Sequence, residues 1–140
     1  MPSTFTPLGD GTLTVGTVPN DFSCEVLGWK VTHTYEEVGT ARTMLCGTER
    51  PASKKRTDGM TGNVENDLGA AGMYAYLLAN DLTEQVVTFT PNATSGASWV
   101  LTCQLSLPAD IGADEYGAPI VSAVTWAGVG TVDFTEATAA

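Results

Sequence analysis

The sequence predicts an α+β protein that is mostly β: a β-sandwich or partial barrel with one flanking α-helix. Three observations predict it. Apolar and polar residues alternate with a period of two over residues 24–38 and again over 97–107, the pattern of half-buried strands. A single stretch between them, Leu68 to Ala79, carries apolar residues at helical spacing. The 140 residues fit one domain, and with 43% apolar and 16% charged residues the chain can bury a core without disulfide staples.

The elements follow in order. Residues 1–22 are rich in Thr, Gly and Pro, with turn signals at Gly9-Asp10-Gly11 and Pro19-Asn20-Asp21. Thr12 to Val18 alternates between them and predicts a short strand. The whole stretch reads as an N-terminal arm ordered by partners or by edge pairing. Cys24 to Val38 predicts a long strand, with Leu27, Trp29, Val31 and Tyr35 on one face and Gly28, Lys30, Thr32, Thr34 and Glu36 on the other. The pattern breaks at Gly39 and resumes at Ser53, running to Glu65 with Thr57, Thr61, Asn63 and Glu65 on one face. Two such strands form a hairpin with a long loop, residues 39–56 taken broadly, and loops of that length are functional or disordered.

Asn66 or Asp67 is positioned to cap a helix over Leu68 to Ala79, stopped at Asn80. Leu68, Ala71, Ala75 and Leu78 are its expected buried stripe, and Gly69 and Gly72 weaken it, so packing must hold it. Gln85 to Thr90 is a strand ended by Pro91-Asn92. Over Ala97 to Leu107, Trp99, Leu101, Cys103, Leu105 and Leu107 point inward, and Ser98, Thr102, Gln104 and Ser106 outward. Pro108 to Pro119 is an acidic turn. Ile120 to Ala127 and Val129 to Thr135 are expected to form a last pair hinged at Gly128, before a tail at 136–140.

Charge and chemistry narrow the function. The net charge is −10, which argues against binding free DNA, a process driven by basic groups. The charge is segregated. Arg42, Arg50, Lys54, Lys55 and Arg56 lie in one segment opposed only by Glu49, making it +4 and the remainder −14, with Lys30 the only base outside it. The three cysteines are odd in number and lack CxxC spacing, so neither a disulfide framework nor a zinc site is expected. Cys24 and Cys103 fall in apolar strand patterns and read as buried thiols. No secretion signal or membrane-spanning run is recognisable, and membrane insertion is not expected.

His33, the only histidine, shares strand parity with Trp29 and Val31 and reads as structural. There is no nucleophile elbow and no phosphate-binding glycine loop. Asp110, Asp114 and Glu115 lack the full ligand series of a calcium loop and read as a solvated turn. No catalytic residue, metal or cofactor is expected, and the chain does not read as an enzyme.

A long hairpin over Cys24 to Glu65, a helix at once after it (Asn66 to Asn80), Val86-Val-Thr-Phe-Thr-Pro-Asn92, the alternating Trp99 to Leu107, Ala123-Val-Thr-Trp126 and a final Val132-Asp-Phe134 occur in that order. This layout resembles the major tail tube proteins of long-tailed, siphovirus-type bacteriophages, whose fold contractile-tail and type VI secretion tubes share. The likeness covers roughly residues 24–135.

The resemblance implies a virion tail subunit made in the host cytoplasm and stacked as hexameric rings. Their lumen would conduct DNA without binding it specifically. It also implies contacts with tape measure, tail-tip and tail terminator proteins. Under it, Arg42, Arg50, Lys54, Lys55 and Arg56 are the candidate inter-ring contacts. Thr32, Thr34, Glu36, Thr61, Asn63, Glu65, Thr102 and Gln104 are the candidate lumen-facing residues, with Lys30 expected to meet a carboxylate or lie at the rim. Two other readings stay open: a head–tail joining or decoration protein, and a carbohydrate-binding or adhesive β-sandwich module using Trp29, Trp99 or Trp126 as a stacking platform.

Overall fold

A computed structural model describes residues 8–16 and 20–137. Among the described residues nine strands and one helix follow in sequence: β1 (Thr12–Val15), β2 (Asn20–Asp21), β3 (Val26–Val38), β4 (Arg42–Thr43), β5 (Glu49–Arg50), β6 (Ser53–Glu65), α1 (Met73–Ala79), β7 (Glu84–Thr90), β8 (Ser98–Gln104) and β9 (Val121–Thr135). Seven strands make one antiparallel sheet in the order β2-β1-β7-β8-β9-β6-β3, and β4 and β5 make a separate ladder. The sheet is not closed into a barrel. Its two edge strands are nonetheless joined by only the four residues between Asp21 and Val26, so the sheet must curl to bring its edges together at that point.

The curl rests on β9. Its first half pairs with β6, from Glu65↔Val121 to Gly59↔Ala127. Its second half pairs with β8, from Gln104↔Ala127 to Ser98↔Thr135, through a bulge between Val100 and Thr102. The expected hinged pair at 120–135 is therefore one continuous strand. Gly128 is where that strand changes neighbours, not direction. A Cβ there would lie 2.1 Å from the Asp58 carbonyl oxygen, so only glycine lets β9 pass so close to β6.

One face of the sheet carries the core. Leu13, Val15, Trp29, Met60, Val64, Val87, Leu101, Cys103, Val124 and Trp126 are buried there, together with Met73 and Leu77 of α1 and Phe22. Trp29 and Trp126 meet edge to face with centroids 5.2 Å apart, and Phe22 packs on Tyr76 at 5.5 Å. The described part of the predicted N-terminal arm belongs to this body: β1 pairs with β7, and Leu13 and Val15 are fully buried. Residues 1–7 and 17–19 of that arm, and 138–140 of the predicted tail, lie outside the described residues.

Four expectations about burial are corrected. Leu27 is 59% exposed because a bulge between Val26 and Gly28 inserts it as an extra residue and turns it off the core face. Tyr35 is exposed because the hairpin has by then run past the covered sheet. Leu107 lies beyond the end of β8 and is partly exposed. Cys24 is exposed in the turn before β3, while Cys103 is buried and its thiol is pushed up to about 12 by desolvation.

The helix is shorter than predicted, and its buried residues are Met73 and Leu77, with Leu68 and Leu78 exposed. Asp67 accepts from Gly69 N–H at 2.9 Å and holds a turn instead of capping the helix. The N-cap is Gly72, where a Cβ would sit 1.9 Å from the Asp67 carbonyl oxygen. The capping carboxylate comes from another element: Glu25 accepts from Met73 N–H at 3.2 Å and from Asp67 N–H at 3.0 Å. Asn80 closes the helix as expected, donating from backbone and side chain to the Tyr76 carbonyl.

Candidate functional site

Two features of this fold are large, exposed and chemically distinctive: a projecting arm and a polar sheet face. The arm is the far part of the β3–β6 hairpin. β9 leaves β6 after Gly59↔Ala127, while β3 and β6 stay paired out to Val38↔Ser53. From Thr32 to Thr57 every residue is exposed except Ala52, which is half-buried. A two-stranded ribbon without a third strand is marginal on its own, so its base matters.

That base holds a buried carboxylate. Asp58 is 1% exposed and receives three donors: Val132 N–H at 2.9 Å, His33 Nδ1 at 2.6 Å and Arg56 Nε at 3.1 Å. Burial alone would push its carboxyl up. The hydrogen bonds from His33 and Val132, with the nearby Arg56 and His33, outweigh burial and hold it below the ordinary carboxylate value. The group ties together β3, β6 and the stretch of β9 that has just changed partners. His33 helps to hold this junction through its bond to Asp58. Its partner went unrecognised because it lies 25 residues away in sequence. The even hairpin ladder carries the signal that finds it, since His33 and Asp58 are direct cross-strand neighbours.

The five basic candidates divide along the arm. Lys54 and Lys55 face Glu37 and Glu36 across the ladder, and Arg56 is engaged by Asp58. These three lie on β6, so the loop proper spans residues 39–52. Arg42 and Arg50 sit at the tip, directly opposite one another in the β4–β5 ladder. Leu45 at the turn is fully exposed and Met44 is 41% exposed.

The eight lumen candidates all fall on the sheet face opposite the core. Thr61 stands between Lys30 and Thr125, Asn63 between Gly28 and Ala123, and Glu65 beside Val121. Thr32 faces Gly59, Thr34 faces Thr57 and Glu36 faces Lys55. Thr102 and Gln104 continue the same face on β8, beside Val129 and Ala127. Lys30 has Thr61 as its cross-strand partner, and among the described residues no carboxylate lies within ion-pair distance of it.

The candidate sugar platform is largely used up. Trp29 and Trp126 are buried, and Trp126 donates to the Ser106 carbonyl at 3.2 Å. Trp99 is half-buried, stacked by Phe89 at 5.8 Å and packed by Phe134 at 5.1 Å. Among the described residues no three His, Cys, Asp or Glu side chains are grouped to hold a metal ion.

This architecture recurs elsewhere. The chain superposes with a TM-score of 0.57 on a chain from the virion of a native gene transfer agent particle, covering 90% of this chain and 95% of that one at 12% identity. The fold is shared with a virion component. At that identity the likeness extends to the fold and no further. No family model matches the sequence, and no curated protein sequence matches it.

Proposed function

We propose that this chain is a structural subunit of a virion, and specifically the tail tube subunit: rings of six copies stacked into a tube that conducts DNA. The observation that carries the reading is the shared fold with a chain of a gene transfer agent virion. Three features of the molecule support it. An open sheet with two edges is a form that gains by pairing with copies of itself. The projecting arm offers more exposed backbone and side chain than a free monomer needs. The sheet face opposite the core carries Lys30, Thr32, Thr34 and Glu36 of β3, Thr61, Asn63 and Glu65 of β6, and Thr102 and Gln104 of β8.

In this reading the polar face lines the lumen. Six copies at −10 give a ring of roughly −60 before counterions screen it over about 8–10 Å. Duplex DNA, with one charge per ~1.7 Å, is repelled from such a wall and stays mobile. The subunit's partners are other copies of itself and, at the ends, the tape measure, tail-tip and terminator proteins. Its place is the virion tail, after synthesis in the host cytoplasm, and its role is structural, with no catalysis and no cofactor.

Negative-stain microscopy of the purified chain over a range of concentrations tests this directly. Rings or tubes are the expected outcome. A compact monomer at every concentration, with no growth on added seeds, would refute the reading.

A further inference from the structure

The arm tip contains an internal conflict. Arg42 and Arg50 are direct cross-strand neighbours in a ladder only two rows long. Like charges placed opposite one another destabilise a strand pair. Lys54 and Lys55 stand opposite Glu37 and Glu36 and Arg56 pairs with Asp58, whereas Arg42 and Arg50 have only each other as cross-strand partners and, among the described residues, no carboxylate within ion-pair distance. Between them the turn presents Leu45, fully exposed, and Met44. The tip is therefore an apolar knob flanked by two guanidinium groups.

A hollow of opposite charge lies at the other end of the same hairpin. The 108–120 loop returns to the sheet where Gly112 exchanges two backbone hydrogen bonds with Val121, at 3.1 and 3.3 Å. It borders a wide, open hollow of ≈ 1190 Å³ beside Gly28 and Asn63. Leu27, Ile111, Pro119 and Val121 give it an apolar lining, and Asp110, Asp114 and Glu115 stand around it. Among the described residues no base lies within ion-pair distance of those three carboxylates. Two of the lining apolar residues, Leu27 and Val121, are 59% and 40% exposed.

We infer that the tip of one copy docks into this hollow on a second copy, Leu45 entering the apolar lining while Arg42 and Arg50 meet Asp110, Asp114 and Glu115. The inference rests on the self-assembling reading and names its axial contact. Knob and hollow are at opposite ends of a shaft that runs from Gly28↔Asn63 to Val38↔Ser53, about 34 Å of strand. A contact between opposite ends of one molecule is heterologous. It repeats without closing, which stacks copies and does not pair them off.

Charge exchange tests it. Arg42→Glu with Arg50→Glu makes an acidic tip; Asp110→Lys, Asp114→Lys and Glu115→Lys make a basic hollow. All five positions are exposed or rim residues, so both variants should fold, as circular dichroism would check. Each alone is expected to lose tube growth. An equimolar mixture of the two, and the single chain carrying all five changes, are expected to regain it, because each then offers complementary ends.

A second readout does not depend on tubes. Ala113→Cys in a Cys24→Ser background should form an intermolecular disulfide with Cys46 at the tip under mild oxidation. Tubes that form regardless of these charges, with no such cross-link, would overturn the inference and leave the tube reading standing. The cross-link with charge-dependent association, but no rings or tubes, would support the contact and sink the tube reading. Folded variants that stay unassembled both in mixture and when combined would overturn the inference.

Discussion

At the scale of the residue, Asp58 concentrates most of what is at stake in the arm. Its side chain is buried, and three donors from two other strands and its own converge on it. Replacing it with alanine strands the Val132 N–H without an acceptor and removes two charge-assisted bonds. Arg56 and His33 are half-exposed and can return to water, so the cost is expected to be about 2–4 kcal/mol, read from urea unfolding. Asp58→Asn keeps the size and an acceptor and should cost less. The pH dependence has a definite sign. The carboxyl is held below its unfolded value, so its contribution is present above about pH 4 and is lost as pH falls through the folded value. The wild type should therefore lose more stability between pH 5 and about pH 3 than Asp58→Asn does. Thiol reactivity follows from equally local facts. Cys24 and Cys46 are exposed, and hydrogen bonding with Thr48 lowers the Cys46 thiol. Cys103 is buried and pushed up to about 12. A thiol-specific reagent at neutral pH should titrate two cysteines in the native protein, and the third only on unfolding.

Elements were readable from the sequence where one local pattern sufficed. The strands β3, β6, β7 and β8 lie close to where alternation placed them, and the Asn80 stop is where turn chemistry put it. The helix was misread because its face is not fixed by spacing alone. Leu68 and Leu78 fit the helical period as well as Met73 and Leu77 do, and Glu25, from a distant turn, decides where the helix starts. The corrected face makes a sharp prediction. Leu77→Ala removes a side chain 1% exposed and should cost about 2–4 kcal/mol. Leu78→Ala, one residue on and 53% exposed, should change stability by about 0.5 kcal/mol or less. Had the sequence-predicted stripe been the buried one, the order would be reversed, so paired thermal melts of the two variants decide it. The strand β9 was misread for a related reason. A glycine in an alternating run marks a local event, but only the pairing with β6 and β8 reveals that the event is a change of neighbour. The bulge that turns Leu27 outward is equally invisible to a parity count.

At the scale of the whole molecule, alternation gave each strand its two faces. Which faces join, and that the mostly apolar Val121, Ala123, Ala127 and Val129 of β9 stand between the polar residues of β6 and those of β8, is set by long-range pairing that no window of sequence contains. The eight lumen candidates come from three strands, and the ladder assembles them on one side. The same ladder changes how the lumen is best tested. Glu36 stands opposite Lys55, so a lysine at 36 would set two like charges face to face in the unsupported arm and confound any effect on DNA with damage to the arm. Glu65 and Gln104 are free of that problem. Glu65 lies beside Val121 on the supported part of the sheet, and Gln104 lies between Glu84 and Ala127. Changing both to Lys alters each subunit by three charge units, from −10 toward −7, and in the proposed tube that change repeats around every ring. If the polar face lines the channel, these lysines sit along the DNA path, and each phosphate they neutralise adds affinity that a sliding duplex must break at every ring. Particles carrying Glu65→Lys and Gln104→Lys should assemble tails of normal length yet eject DNA several-fold more slowly at low salt. The defect should shrink as salt is raised and the added charges are screened. Ejection at the wild-type rate from normal particles would mean that this face does not meet the DNA. A defect unchanged by salt would point to altered subunit packing in place of an electrostatic brake.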